Sequence, residues 1–109
     1  MSWNIFFFAT DRNEKPVKEF IKTLSPSTIA KIMHTIDLLE QYGSFLNMPH
    51  SKKVANNLYE LRIRGKQEIR IFYVFKEKDI YLLHAFQKKG QKTPSKELKT
   101  ALSRMRLLT

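Results

Sequence analysis

The amino-acid sequence predicts an α+β domain with the element order β-α-α-β-β-β-α, occupying residues 1–109 as one unit. Three observations lead there. A short aromatic run opens the chain, two stretches carry apolar residues at helical spacing, and strict alternation sets in after residue 58. A chain of 109 residues has room for one small core. Its 42% hydrophobic content places it among globular proteins and away from disordered ones.

Residues 3–9, from Trp3 to Ala9, are short, aromatic and without helical periodicity, and read as a strand buried on both faces. Asp11, Arg12 and Asn13 break that run. Val17, Phe20, Ile21 and Leu24 then fall at i, i+3, i+4 and i+7, the stripe of an amphipathic helix. Ser25-Pro26 combines an N-cap hydroxyl with proline at the first helical position. Ile29, Ile32, Met33, Ile36 and Leu39 carry a second helix to Tyr42, with Gly43 as its C-terminal cap. The short link between them predicts an antiparallel helical hairpin. Residues 44–57 read as loop.

The period changes at Tyr59. Tyr59, Leu61 and Ile63 alternate with Glu60, Arg62 and Arg64. Beyond Gly65, Ile69, Ile71, Tyr73 and Phe75 alternate with Glu68, Arg70, Phe72 and Val74. A polar turn at 76–78 leads into Ile80 to Phe86, giving an antiparallel three-strand meander. Gly90 and Pro94 interrupt the chain before a last helix over roughly 95–107, capped by Thr93 or Ser95, with Leu98, Ala101, Leu102 and Met105 on one face. Helices gathered on one side of an antiparallel sheet are expected.

Composition narrows the function. The chain has no cysteine, so disulfides and thiolate metal sites are excluded. The longest apolar run, Ile5 to Ala9, is far shorter than the roughly 20 residues of a membrane span. The sequence shows no signal peptide, and a cytoplasmic protein without membrane contact is expected. His34, His50 and His84 form no metal spacing, and neither a catalytic triad, a P-loop nor a dinucleotide glycine motif is present. No cofactor is expected.

Charge points to a polyanion. The formal net charge is +10, and residues 58–109 hold thirteen basic and five acidic side chains against seven and five in residues 1–57. Such a bias favours nucleic acid through counterion release. A solvated basic face, or one covered by an acidic protein, is the alternative.

Strand alternation places Tyr59, Leu61, Ile63, Ile69, Ile71, Tyr73 and Phe75 on one face of the meander, to receive the helical hairpin. The other face carries Glu60, Arg62, Arg64, Glu68, Arg70 and Phe72. If Arg64 pairs with Glu68 across a three-residue loop, Arg62 lies opposite Arg70. If Phe75 pairs with Asp79, Arg70 faces His84 and Phe86 lies near Glu68. Two opposed arginines repel unless an anion or a carboxylate lies between them. The row is therefore either an ion-pair ladder completed by Glu60 and Glu68 or an anion site. The segment Phe86-Gln87-Lys88-Lys89-Gly90-Gln91-Lys92-Thr93-Pro94 adds an aromatic ring that can stack on a base and lysines that can bind phosphates.

Three pieces of the chain carry a resemblance. They are Leu58-Tyr59-Glu60-Leu61-Arg62, then Glu68-Ile69-Arg70-Ile71-Phe72-Tyr73, then Leu83-His84-Ala85-Phe86-Gln87-Lys88-Lys89 running on to Lys92-Thr93-Pro94. With the element order, they make the chain resemble the RelE/ParE toxin superfamily, in particular the HigB-like, phage-derived branch of type II toxin–antitoxin systems. The resemblance implies a RelE-like fold and a metal-independent endoribonuclease that cleaves messenger RNA on the ribosome. It also implies a cognate antitoxin, and the chain's net charge suits an acidic, partly disordered one that covers Phe6 to Phe8 or the groove beside the helices.

Carried onto this sequence, the resemblance makes Arg62 and Arg70 phosphate-binding and transition-state residues. Lys88 and Lys89 would add charge stabilisation or proton transfer, Phe86 would position a base, and His84 would move protons. Arg64, Lys66 and Lys92 would contact RNA. ParE-like relatives inhibit DNA gyrase on the same scaffold, so a gyrase inhibitor is the competing reading, beside a non-catalytic nucleic-acid-binding module.

Overall fold

The computed structural model describes residues 2–108; Met1 and Thr109, which the single-unit reading includes, lie outside the described residues. Strand β1 is Asn4–Phe7, followed by α1 (Pro16–Lys22) and α2 (Pro26–Tyr42), a single 3₁₀ turn at Gly43–Phe45, and β2 (Ser51–Ala55). The chain continues through β3 (Leu58–Ile63), β4 (Ile69–Lys76), β5 (Asp79–Gln87) and α3 (Ser95–Arg106). The five strands form one mixed sheet in the order β1-β5-β4-β3-β2. The class is α+β.

Proline fixes the first turn of both early helices, and Ser25 caps α2 by accepting the backbone N–H of Thr28 at 3.3 Å. At the far end, Gly43 takes φ +50, and a Cβ there would overlap the Trp3 indole. Both facts demand glycine. Trp3 is fixed at this corner by its backbone N–H, which donates to the Glu40 carbonyl.

Alternation in β3 and β4 builds the first core. Leu61, Ile63, Ile69, Ile71 and Tyr73 pack with Val17 and Ile21 of α1 and with Ile32, Ile36 and Leu39 of α2. Pairing of Arg62 with Arg70 follows the expected register.

Four expectations are corrected. First, residues 51–55 are a strand, not loop: β2 pairs antiparallel with β3, Lys52 opposite Glu60. Its polar sequence fits an edge strand, whose outer side meets solvent. Second, β1 is the other edge of the sheet, parallel to β5, and Phe6 is 44% exposed. It is not buried on both faces. Third, α3 does not join the other helices. Leu98, Ala101, Leu102 and Met105 pack with Phe8, Leu58, Phe72, Val74, Leu83 and Phe86 in a second core on the opposite face. Fourth, the cap of α3 is Pro94, with no side-chain hydrogen bond.

The β4–β5 register also departs from expectation. Lys76 pairs with Asp79 across a tight turn, where Glu77 has φ +57. The pairing shifts at Phe72/Tyr73, where Leu83 of β5 has no opposite residue. Beyond this bulge Arg70 pairs with Phe86, and His84 pairs with Phe72. An extra residue of this kind turns the strand and changes which side chains share a face.

Candidate functional site

The helix α3 covers the part of its sheet face around Phe72, Val74 and Leu83. Past the end of the helix the sheet presents the row Arg62–Arg70–Phe86, one residue each from β3, β4 and β5. An open cavity of about 340 Å³ lies over this end, lined by Arg62, Arg64, Glu68, Arg70, Lys88, Lys89 and Gly90. The sheet supplies the arginines. The segment after β5 supplies the lysines, and it is anchored where the Lys88 N–H donates to the Glu68 carbonyl at 2.7 Å.

Opposed guanidinium groups need a counter-charge, and Glu60 provides it. Its carboxylate is buried, with Oε1 3.2 Å from Arg62 Nε and 3.7 Å from Arg70 Nε. Glu68 Oε2 takes a second contact, at 2.9 Å from Arg70 Nη1. Arg70 is itself buried, and its Nε–H has no hydrogen-bond partner among the described residues, since Glu60 lies beyond hydrogen-bonding reach. An unsatisfied buried N–H is costly, and an acceptor entering the cavity would relieve that cost. Five cationic side chains thus line the cavity together with Glu68, and Glu60 sits outside the lining, against Arg62 and Arg70. A phosphate, with its several acceptor oxygens, suits this donor set.

Arg62, Arg64, Arg70, Lys88 and Lys89 come together, as the sequence suggests. Lys66, at the exposed β3–β4 turn, and Lys92, exposed beyond Gly90, do not line the cavity. Phe86 is adjacent to Arg70 but buried, stacked between His84 (5.9 Å between centroids) and Phe72 (5.7 Å). In this conformation its ring supports the row and is not presented to a base.

His84 does not face Arg70; the bulge moves it one row along, outside the cavity lining. Its Nε2 is 2.7 Å from Glu97 Oε1, and its Nδ1 is 3.3 Å from Arg104 Nη1. An arginine can only donate, so Nδ1 accepts and Nε2 carries the proton toward Glu97. Arg104 also donates to the Leu83 carbonyl at 2.8 Å, and burial holds its pKa below the ordinary arginine value. The last helix therefore fixes the histidine.

Sequence reasoning treated Glu60 as a ladder member and missed Glu97 and Arg104. The signal for Glu60 lay in its position, two residues before Arg62 and hence on the same strand face. Glu97 and Arg104 became legible only with α3 on this side. Thr93, expected as a helix cap, instead donates to Glu60 Oε2 at 3.3 Å. Among the described residues, no group of His, Asp and Glu is placed to hold a metal ion, and no helix is long and apolar enough to cross a membrane.

Residues 19–106 match the family model described as phage-derived protein Gp49-like (DUF891). The chain belongs to this family. The matched span includes every side chain of the cavity and all of the α3 contacts to His84, so the site is part of the Gp49-like unit. No curated protein matches the chain.

Proposed function

We propose that this Gp49-like protein is the toxin of a type II toxin–antitoxin system, a RelE/HigB-like endoribonuclease that cuts messenger RNA on the ribosome, in the cytoplasm. The observation that carries this reading is the cross-strand pair Arg62–Arg70, set over a shared buried carboxylate and beneath the Lys88–Lys89 segment.

The chemistry is transesterification. The 2′-oxygen of a ribose attacks the adjacent phosphorus, the bond to the 5′-oxygen breaks, and a 2′,3′-cyclic phosphate remains. One proton leaves the 2′-hydroxyl and one reaches the departing 5′-oxygen. Arg62 and Arg70 hold the scissile phosphate in line and stabilise the charge that grows on its oxygens. Glu60 and Glu68 restrain the Arg70 fork, so little reorganisation is needed as charge develops. Lys88 and Lys89, the cations closing the cavity, stabilise the leaving oxygen or deliver its proton. His84, held by α3, reaches the cavity only through a rearrangement of its Glu97 contact, so its part is to brace Phe86. Lys66 and Lys92, on exposed loops, extend the basic surface toward ribosomal RNA. An acidic antitoxin would neutralise the same surface.

The test is a reconstituted translation reaction, with messenger ends mapped by primer extension. Expected are cuts within the codon in the ribosomal A site, absent without ribosomes and lost in Arg70→Ala. Intact messenger in the presence of ribosomes overturns the reading and makes gyrase inhibition, read by a supercoiling assay, the next to test.

A further inference from the structure

Glu60 also lines a second, smaller cavity. It measures about 210 Å³ and is lined by Val54, Glu60, Phe72, Thr93, Ser95 and Leu98. Its apolar lining is Val54, Phe72 and Leu98. Its polar groups are the Glu60 carboxylate and the hydroxyls of Thr93 and Ser95. Glu60 links the two places through its contacts: Oε1 faces the arginine pair that lines the first, while Oε2 accepts the hydroxyl of Thr93, which lines the second. The segment after β5 also spans both, giving Lys88, Lys89 and Gly90 to one cavity and Thr93 to the other.

From this juxtaposition we infer that the slot is a nucleobase pocket, serving a base next to the phosphate held by Arg62 and Arg70, and that it selects guanine. The inference rests on the ribonuclease reading above. A base offers apolar faces to Val54, Phe72 and Leu98 and a polar edge to Glu60 and Thr93, which suits this lining better than a ribose or a phosphate does. A carboxylate only accepts hydrogen bonds, so the edge it meets must donate. Guanine alone among the four RNA bases presents two neighbouring donors, N1–H and the N2 amino group. Adenine and cytosine set a single amino group beside an acceptor nitrogen, which the carboxylate repels. Uracil flanks its one N–H with two carbonyls. With the Thr93 proton committed to Glu60, the Thr93 oxygen is left to accept the second guanine donor. This base contact falls to Glu60 and Thr93, and the buried Phe86 ring is not needed for it.

The test titrates the full chain, labelled with ¹⁵N, with the four nucleoside 3′-monophosphates and with inorganic phosphate, followed by NMR. Guanosine 3′-monophosphate is expected to bind on the order of tenfold more tightly than the uridine compound. It should shift the amides of Val54, Thr93, Ser95 and Leu98, whereas inorganic phosphate should shift those around Arg62, Arg70 and Lys88. Leu98→Phe, which fills the slot, and Thr93→Val, which keeps the shape but removes the hydroxyl, should each bring the four nucleotides toward one affinity. Equal affinities in the native chain overturn the pocket, as does undiminished guanine preference in Thr93→Val. Ribosome-dependent cleavage without base selectivity would leave the ribonuclease reading standing and remove the pocket. Guanine-selective binding by a chain that cuts no messenger would do the reverse.

Discussion

The two faces of the sheet are made by the same strands, with alternate residues turned to opposite sides, yet they are finished differently. Toward α1 and α2 the face is apolar from Tyr59 to Phe75, and the helices close it. Toward α3 it is apolar only at one end, where Phe72, Val74 and Leu83 meet the helix, and at the other it becomes Arg62 and Arg70 over Glu60. Burial stabilises the first face. The second sacrifices some of that stability to hold charges in place, which is the usual relation between a scaffold and a site.

The comparison is best broken by damaging each face separately. On the closed face, Leu61→Ala removes a fully buried side chain and should cost about 4 kcal/mol of stability in a denaturant melt. Cleavage per folded molecule should hold at native levels. On the open face, Glu60→Gln keeps the shape but leaves two opposed guanidiniums without their carboxylate. A loss of about 3 kcal/mol is expected, the low end of the range for breaking a buried ion pair. Added sulfate should restore part of it, because an anion that binds only the folded state stabilises that state. No recovery with sulfate would mean that the cavity is not an anion site.

The double change Lys88→Ala/Lys89→Ala should give the opposite pattern to Leu61→Ala. Messenger cleavage should fall about a hundredfold, while the melting curve moves by less than about 1 kcal/mol. Equal cleavage in the double variant would remove the lysines from the chemistry.

A smaller effect sharpens the contrast through pH. Tyr73 lies on the closed face, where burial pushes its hydroxyl up to about 12 from 10.0, with Ser51 as its hydrogen-bonding neighbour. Its folded pKa is raised, so its contribution is complete below pH 10 and is lost as pH climbs toward 12. A stability profile flat across that window would mean that the hydroxyl is better solvated than its surroundings indicate.

Much of this contrast can be read from sequence. Strict alternation from Tyr59 to Phe75 marks the closed face and aligns Arg62 with Arg70, because a one-residue slip would turn the apolar set of β4 to the other side. The opposite face was harder. Phe72 and Val74, standing among charged residues, were the signal that a helix covers it, but the apolar stripe of α3 fits either side of a sheet equally well. Strand β2 was hidden because Ser51-Lys52-Lys53 is polar, as edge strands often are. The bulge at Leu83 leaves no mark in composition, so the row passing through Phe86 instead of His84 required coordinates. The basic cluster was legible residue by residue. The carboxylate beneath it, shared with a second cavity, was not, since its value lies in what surrounds it.

One pairing has a temporal side. Strand β1 lies parallel to β5, Asn4 beside Asp79, so of the five strands the earliest made waits for the latest made. Until then Phe6, Phe7 and Phe8 remain an unpaired aromatic segment on a growing chain, the sort that sticks to its neighbours. The same order delays α3, which follows β5 and fixes His84. A nascent chain therefore carries an exposed aromatic segment until β5 is made, and that interval favours aggregation.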